Sequence, residues 1–598
     1  MPTLTRPPGM LMQLAAGFVL LVLAAAAWLV TAAPAVSQGP APTMPAVLPT
    51  ISAKANCADL TKVDLSAIGG NGSRITSATE KAGVAGASVC SVSGTLAPTI
   101  NFQVDLPMKS WTQRYLQTGC GGLCGSLNIN VGAADGCPMV TAGGFVIAST
   151  DMGHEGMSGE FGLDPQKRAD FAYRGVHLTA VAAKALIRAF YGQSERYAYF
   201  DGCSDGGREA LVEAERFPKD FNGIIAGAPA LNFTIQNSLY HGWQARSNTG
   251  ADGKAILIAP RLAILHSAVL AACDSLDGQQ DGLISTPGAC RFDPTSIVCK
   301  SGQDSSTCLT TAEAIVARRF YDGPRDPKTG ERLTQGGPQL GSELQWAGVY
   351  VPQTSDQPIF STMIANGSMP NLLFTNGQPA TVDALQFDRA TFNRLRARHT
   401  LFDASNPDLS AFAARGGKLI LFHGWADPHI SPINTIAFHD ALRRQMGVGT
   451  AEGFERLYLM PGMGHCSGGE GPSKFDLLTP MLTWVEGHQA PNAIMTRTPS
   501  PEEHSMFGLP GGDRRGPPPG MGGPGKPPRD MGPPPGMPKM VAGPARSRPV
   551  YPYPYVAAYT GRGDPNAGAN WGRGKPSAVE VPAWAGSDYY APYPNVTG

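Results

Sequence analysis

Gly202-Cys203-Ser204-Asp205-Gly206 lies between two segments of opposite character. Before it, Arg196-Tyr197-Ala198-Tyr199-Phe200 is a short aromatic run that reads as a strand. After it, residues 208–216 (REALVEAER) are strong helix formers throughout. A strand that must become a helix within a few residues commits the chain to a βα unit. The glycines relieve crowding at the bend and let the serine project from it. A Gly-rich βα turn with an exposed serine satisfies the same local rules. About half a G-x-S-x-G match is expected by chance at this glycine content, so the pentapeptide needs context.

Two later segments supply it. Lys418-Leu419-Ile420-Leu421-Phe422 is a continuous apolar strand followed by His423-Gly424-Trp425-Ala426-Asp427. Arg456-Leu457-Tyr458-Leu459-Met460 is another, followed by Pro461-Gly462-Met463-Gly464-His465-Cys466. An Asp and then a His, each just past a strand, give the chain order Ser…Asp…His of an α/β hydrolase, with all three groups at the C-terminal edge of a parallel sheet. In that geometry Asp427 orients His465, and His465 takes the proton of Ser204. His423 and His429 are rival bases, but both lie too close to Asp427 for a separate strand and read as structural. Asp201 and Asp205 are rival acids; the backbone N–H of Asp205 is better placed as an oxyanion donor. If Ser204 and His465 meet, Cys203 and Cys466 come close as well, and a disulfide between them would staple the two loops.

On these residues the chain resembles the tannase/feruloyl esterase family, which also holds monohydroxyethyl terephthalate hydrolase. Thr150-Asp151-Met152-Gly153-His154, Ile225-Ala226-Gly227-Ala228-Pro229-Ala230 and Gly563-Asp564-Pro565-Asn566 extend the likeness, from about Cys57 to Trp571. The resemblance implies Ser204 as nucleophile, Asp427 as acid and His465 as base. It implies an oxyanion hole from the backbone of Asp205 and a glycine of Gly121-Gly122, in the loop after the strand-like Arg114-Tyr115-Leu116-Gln117. It also implies the disulfides Cys57–Cys90, Cys203–Cys466, Cys273–Cys290 and Cys299–Cys308. Of the 11 cysteines, Cys120, Cys124 and Cys137 are left without an assignment. The family's last cystine is lost here, with Tyr551 at its first position.

The segment Cys273-Asp274-Ser275-Leu276-Asp277-Gly278-Gln279-Gln280-Asp281-Gly282-Leu283 can fold carboxylates and carbonyls around one hard cation. Its spacing is not that of an EF-hand, and a solvated Asp/Gly turn accounts for the residues equally well. The family binds calcium at this segment. The resemblance therefore implies structural Ca²⁺ held by side chains of Asp274, Asp277 and Asp281 and backbone oxygens of Gln279 and Leu283. No organic cofactor is implied.

At 598 residues the chain exceeds one compact core. The expected fold is α/β, an α/β-hydrolase catalytic domain with a large inserted lid domain. Residues 1–37 read as a signal peptide, 38–230 and 411–506 as the two halves of the catalytic domain, and 231–410 as the lid carrying the calcium site. Residues 507–545 read as a disordered Pro/Gly/Met-rich insertion. Residues 546–573 read as a last catalytic-domain segment and 574–598 as a loosely ordered tail.

The apolar run from Leu11 to Val30 is long enough to span a bilayer. A membrane association is therefore expected only if the segment is uncleaved; cleavage gives a secreted or periplasmic protein. Balanced charge, with 47 basic and 47 acidic residues, excludes a nucleic-acid surface. The implied substrates are small aromatic-acid esters of feruloyl, galloyl or terephthalate monoester type. Trp346, Tyr350, Phe360 and Phe374 are candidates to stack on the aryl group, and Arg389, Arg394 and Arg396 to meet a substrate carboxylate. A serine peptidase on the same fold would need a separate propeller-type domain, of which no blade repeat is visible. A non-catalytic calcium-binding surface protein on a hydrolase scaffold would not need Ser204, Asp427 and His465 intact.

Overall fold

The computed structural model describes residues 45–499, save 128, 130 and 135, and 545–596. Residues 1–37 and all but the last residue of 507–545 lie outside these. The described residues from Pro45 onward fall in one compact unit.

Alternation along the central strands sorts their side chains onto two faces. Tyr115, Val146, Ala148, Phe200, Ile224, Leu419, Leu421 and Leu457 enter one buried cluster. Their immediate neighbours Leu116, Ile147, Tyr199, Ile225, Ile420, Phe422 and Tyr458 enter another. Strands buried on both faces read as continuous apolar runs, which is why the sequence shows no polar alternation there.

The strands are β1 (Arg74–Ala82), β2 (Ser88–Leu96), β3 (Ile100–Pro107), β4 (Arg114–Thr118), β5 (Phe145–Thr150), β6 (Tyr197–Cys203), β7 (Gly223–Gly227), β8 (Lys418–Gly424) and β9 (Glu455–Met460). They form one nine-stranded sheet in the order β1-β2-β3-β5-β4-β6-β7-β8-β9. The first three pairings are antiparallel and the rest parallel. The register places Thr118 opposite Asp201, Cys203 opposite Gly227, and Gly424 opposite Met460, so the loops after β4, β6, β8 and β9 leave from one edge.

The longer helices are α1 (Gly175–Tyr191), α2 (Asp205–Arg216), α3 (Leu262–Cys273), α4 (Thr311–Asp322), α5 (Phe360–Ser368), α6 (Pro432–Met446) and α7 (Leu478–Gly487). The apolar faces of α1, α2 and α6 cover the first sheet face, and Leu478, Met481, Leu482 and Trp484 of α7 cover the second. On that second face the fully buried Arg114 of β4 donates to Glu486 of α7 at 2.7 and 2.6 Å, and Tyr199 Oη donates to the same carboxylate at 2.7 Å. An ion pair in this setting survives because both charges are hydrogen-bonded as well as paired.

Between β7 and β8 no described residue belongs to the main sheet. The intervening chain is helical. Leu262 and Leu265 of α3 and Val316 and Phe320 of α4 share a separate cluster with Trp346 and Tyr350. Thr310 and Glu313 form a capping box that starts α4.

The C-terminal tail departs from the sequence expectation. Trp584, Tyr589 and Tyr590 are buried, Tyr590 Oη donates to Gln335 at 2.6 Å, and Arg396 pairs with Asp588. The tail has no periodic apolar pattern, but Tyr589 and Tyr590 bury large rings, and the Tyr590 hydroxyl still finds partners.

Candidate active site

Ser204 sits between β6 and α2 with φ 65° and ψ −122°. A non-glycine residue rarely adopts this conformation, and it persists only where neighbours fix it. Here Ser204 N–H donates to Gly227 O at 3.0 Å, while Ser204 O accepts from Arg208 N–H at 3.1 Å and Ala230 N–H at 3.0 Å. The flanking glycines are required by close approach. A Cβ at Gly202 would lie 2.2 Å from Gly206 O, and one at Gly206 would lie 3.0 Å from the backbone of Gly119. The turn is therefore locked between α2 and the loop after β4.

Asp427 and His465 meet across the loops after β8 and β9. His465 Nδ1 lies 2.7 Å from Asp427 Oδ2. Asp427 is fully buried and also takes N–H bonds from His429 and Ile430 on Oδ1, at 2.8 and 3.0 Å. Burial alone would raise its pKa, but the facing His465 and His423 outweigh that and hold the carboxyl well below the ordinary range.

His423 Nε2 faces both Asp427 Oδ2 at 3.1 Å and Ile430 O at 3.0 Å, so it carries a proton there, and its Nδ1 lies 2.8 Å from Thr435 Oγ1. Asp427 Oδ2 is thus shared by His423 and His465. The Cys203–Cys466 disulfide, with Cα atoms 6.0 Å apart, joins the residue before Ser204 to the residue after His465.

Two histidines that sequence reasoning set aside or missed pack beside this pair. The His429 ring lies 4.7 Å from that of His465, and His241 lies 6.0 Å from His429. Burial, reinforced by the charge of His465, lowers both, His241 to about 3, so both rings stay neutral. Of the four lid aromatics, Phe360 reaches this group, with its ring 4.7 Å from His429 in an edge contact. Trp346 and Tyr350 lie in the buried cluster of the helical chain between β7 and β8, and Phe374 lies under Arg394. The three candidate arginines are engaged elsewhere: Arg389 with Glu331, Arg394 with Asn376 and Gln378 O, and Arg396 with Asp588. Each found a local or long-range acceptor that a reading by residue type does not reveal.

Of the three candidate acids, Asp427 is the one hydrogen-bonded to His465 Nδ1. Asp205 is bonded to the buried Arg208 at 2.6 and 3.0 Å. Burial pushes Asp201 up to about 7. Asp205 is the first residue of α2, where backbone N–H groups have no intrahelical acceptor. Gly121 and Gly122 lie in the loop packed on the start of that helix. Gly119 N–H donates to Asp201 O at 3.0 Å and Cys120 N–H to Glu209 Oε2 at 3.3 Å.

The structure joins all four cysteine pairs that the resemblance implies, and adds Cys120–Cys124. Cys137 is buried and free. The Cys-x-x-x-Cys spacing was the available signal for the fifth bond.

In the acidic segment, Asp274 accepts from Gly282 N–H, Asp277 from Gln279 N–H at 3.0 Å, and Asp281 from Leu283 N–H at 3.2 Å. Burial pushes Asp277 up, with the charges of Asp281 and Asp274 adding to the effect. Arg548 donates to Asp281 Oδ2 at 2.5 Å and offsets part of this charge. The described structure does not bring ligand atoms of all three carboxylates within 4.8 Å of one another, so what suits a hard divalent cation here is the type of the donors and not their spacing. A Cβ at Gly462, three residues before His465, would meet Leu283 at 2.6 Å, so this segment abuts the histidine loop.

The model of the family described as "Tannase and feruloyl esterase" matches residues 83–572. An uncharacterized esterase of Xanthomonas campestris pv. campestris is 32% identical over 513 residues, 75% of this chain and 85% of that one. Mono(2-hydroxyethyl) terephthalate hydrolase of Piscinibacter sakaiensis is 29% identical over 555 residues, 81% of this chain and 84% of that one. The crystal structure of feruloyl esterase B from Aspergillus oryzae shares the fold, with a TM-score of 0.70 at 24% identity, covering 87% of this chain and 100% of that one.

Proposed function

Since the chain belongs to the tannase and feruloyl esterase family and is a carboxylic ester hydrolase, we propose that it cleaves small aromatic-acid esters through an acyl-enzyme on Ser204. The observation that carries the reading is the Asp427–His465 hydrogen bond, cross-linked through Cys466–Cys203 to the turn that holds Ser204.

With Nδ1 of His465 bonded to Asp427, Nε2 is the nitrogen that takes the Ser204 proton as Oγ attacks the ester carbonyl. Backbone N–H groups of Asp205 and of Gly121 or Gly122 receive the oxyanion. His465 then returns the proton to the leaving alcohol, and a water deprotonated by the same ring releases the acid. The uncharged rings of His241 and His429 pack with Phe360 beside His465, and such flat uncharged rings suit an aryl acyl group. Feruloyl, galloyl and terephthalate monoesters are the classes proposed; relatives named for a feruloyl ester and for mono(2-hydroxyethyl) terephthalate support the choice.

Asp274, Asp277 and Asp281, with the carbonyls of Gln279 and Leu283, would hold Ca²⁺, which would supply structural charge compensation at the lid. Export to the periplasm or medium is the proposed location, supported by five disulfides. Among the described residues no helix is long and apolar enough to cross a membrane.

The test is a panel of gallate, ferulate and terephthalate esters with wild type and Ser204→Ala. Loss of several orders of magnitude in kcat with an unchanged fold is expected. Near-wild-type turnover by Ser204→Ala refutes the nucleophile. For the metal, chelation should lower Tm in wild type and leave Asp277→Ala unmoved. A wild-type melt indifferent to verified metal removal refutes the site.

A further inference from the structure

Cys120–Cys124 closes a ring around Gly121, Gly122 and Leu123, with a sequence separation of 4. The ring encloses the glycines from which the oxyanion donor is drawn. Cys124 has φ 60° and Gly122 φ 65°. Glycine tolerates this conformation, whereas a cysteine holds it only under constraint. The far side of the loop is anchored independently: His154 Nε2 lies 2.6 Å from Leu123 O, and Gly125 N–H donates to Asp151 O at 3.2 Å. The near side hangs from Gly119 N–H on Asp201 O and Cys120 N–H on Glu209. Between these anchors, Gly121 and Gly122 are held in a tight turn by two ties, the Cys124 N–H to Gly121 O bond at 3.0 Å and the cross-link.

The cystine also faces an acid. Glu209 Oε1 lies 2.9 Å from Cys120 Sγ and 3.1 Å from Cys124 Sγ, while Oε2 accepts Cys120 N–H. Burial, reinforced by the charge of Asp205, holds Glu209 well above the ordinary carboxylate range. A disulfide sulfur has no proton to give, and Glu209, which also shares a hydrogen bond with the Asp205 carboxylate, is the carboxyl group nearest both sulfurs. Cys120 is half-buried and reachable, whereas Cys124 is 3% exposed.

Building on the proposed oxyanion role of Gly121 and Gly122, we infer that Cys120–Cys124 is a reducible cross-link that positions the oxyanion donors, so that a dithiol reductant lowers turnover by releasing this loop. The thiolate of the dithiol attacks Cys120 Sγ, and the S–S bond breaks. The electron pair leaves on Cys124 Sγ, which takes the Glu209 proton. The second thiol of the reagent then attacks the mixed disulfide, forms the oxidised cyclic reagent and frees Cys120 as a thiolate, which takes a proton from water. Both cysteines end as thiols, two electrons having come from the dithiol.

Wild-type protein titrated with dithiothreitol under native conditions, with thiols mapped by differential alkylation and kinetics read in parallel, tests this. Cys120 and Cys124 should be alkylated before any other cystine. In step with that, kcat should fall roughly tenfold, a fraction of the cost of deleting an oxyanion donor, with KM changed by less than about twofold. Reoxidation should restore kcat. Cys120→Ser/Cys124→Ser should carry the lower kcat from the outset and ignore reductant levels that leave Cys203–Cys466 closed. Glu209→Gln, which keeps a donor but lacks an acid proton, should slow the appearance of the two thiols several-fold.

Undiminished turnover with Cys120 and Cys124 fully alkylated overturns the inference, as does wild-type kcat in the folded double variant or reduction of Cys203–Cys466 first. Oxidised wild type that hydrolyses no ester at all would instead overturn the proposed function, and the thiol map would separate that failure from this one.

Discussion

Replacing Cys203 and Cys466 together by alanine separates what their bond does for the fold from what it does for the reaction. The bond spans 263 residues. The chain-entropy relation for a closed loop of that length gives about 5–6 kcal/mol at 25 °C, which strain and residual denatured structure generally reduce to about 2–5 kcal/mol. The two cystines inside the loop span 17 and 9 residues. They shorten its effective length by about a tenth, and the logarithm makes that worth only ~0.1 kcal/mol.

The catalytic cost has a different origin. β6 and β9 are separated in the sheet by β7 and β8, so no ladder ties the Ser204 turn to the His465 loop. Without the cystine, His465 keeps its bond to Asp427, and Ser204 keeps its bonds to Gly227 and Ala230. What is lost is the direct tether, and a displacement of ~1 Å between reacting groups lowers the rate about a hundredfold. Urea unfolding and kcat on a p-nitrophenyl ester, measured at one temperature, should show both losses. A variant destabilised by 2–5 kcal/mol whose kcat stays within about threefold of wild type would refute the positioning role. Non-reducing peptide mapping that finds Cys203 joined elsewhere would refute the geometry itself.

Three further outcomes follow from the same structure. Glu486→Ala strands the buried Arg114 and removes the acceptor of Tyr199, so unfolding should cost about 3–5 kcal/mol less than in wild type; urea titration showing under about 1 kcal/mol would mean the guanidinium finds water. Asp201 has a folded pKa near 7, raised by burial, above its ordinary unfolded value. Its contribution to stability is full below about pH 4 and is lost as pH rises through about 7, so Asp201→Asn should flatten the decline of Tm across that window, and an unchanged slope would contradict the assignment. Replacing residues 507–543 by a short Gly/Ser join should leave turnover of soluble esters nearly unchanged. The flanking strands Ile494–Arg497 and Ser547–Val550 pair antiparallel, with Arg497 opposite Ser547, and already hold the two ends together. Loss of folding on that deletion would show that the segment carries core contacts.

The βα turn at Ser204, the strands before Asp427 and His465, and the order of the three residues could all be read from the chain. They rest on local propensity, steric demands over two or three residues, and the tendency of such loops to leave one edge of a parallel sheet. The partners of buried charge could not be read in that way. Arg389, Arg394 and Arg396 look alike in sequence, yet one meets Glu331, one meets Asn376 and Gln378 O, and one reaches Asp588, 192 residues away. The tail that lacks any periodic pattern is buried through Tyr589 and Tyr590 because a surface complementary to it exists only once the lid and α6 have assembled. His423 takes its place from Asp427 and Ile430 O, His429 and His241 are kept neutral by burial and the charge of His465, and Cys120 finds Cys124 with Glu209 at its back only when α2 packs against the loop after β4. Composition and spacing select the elements and their order. Which polar group each one must satisfy is decided when desolvated surfaces meet, because only then does an unpaired donor or acceptor cost free energy.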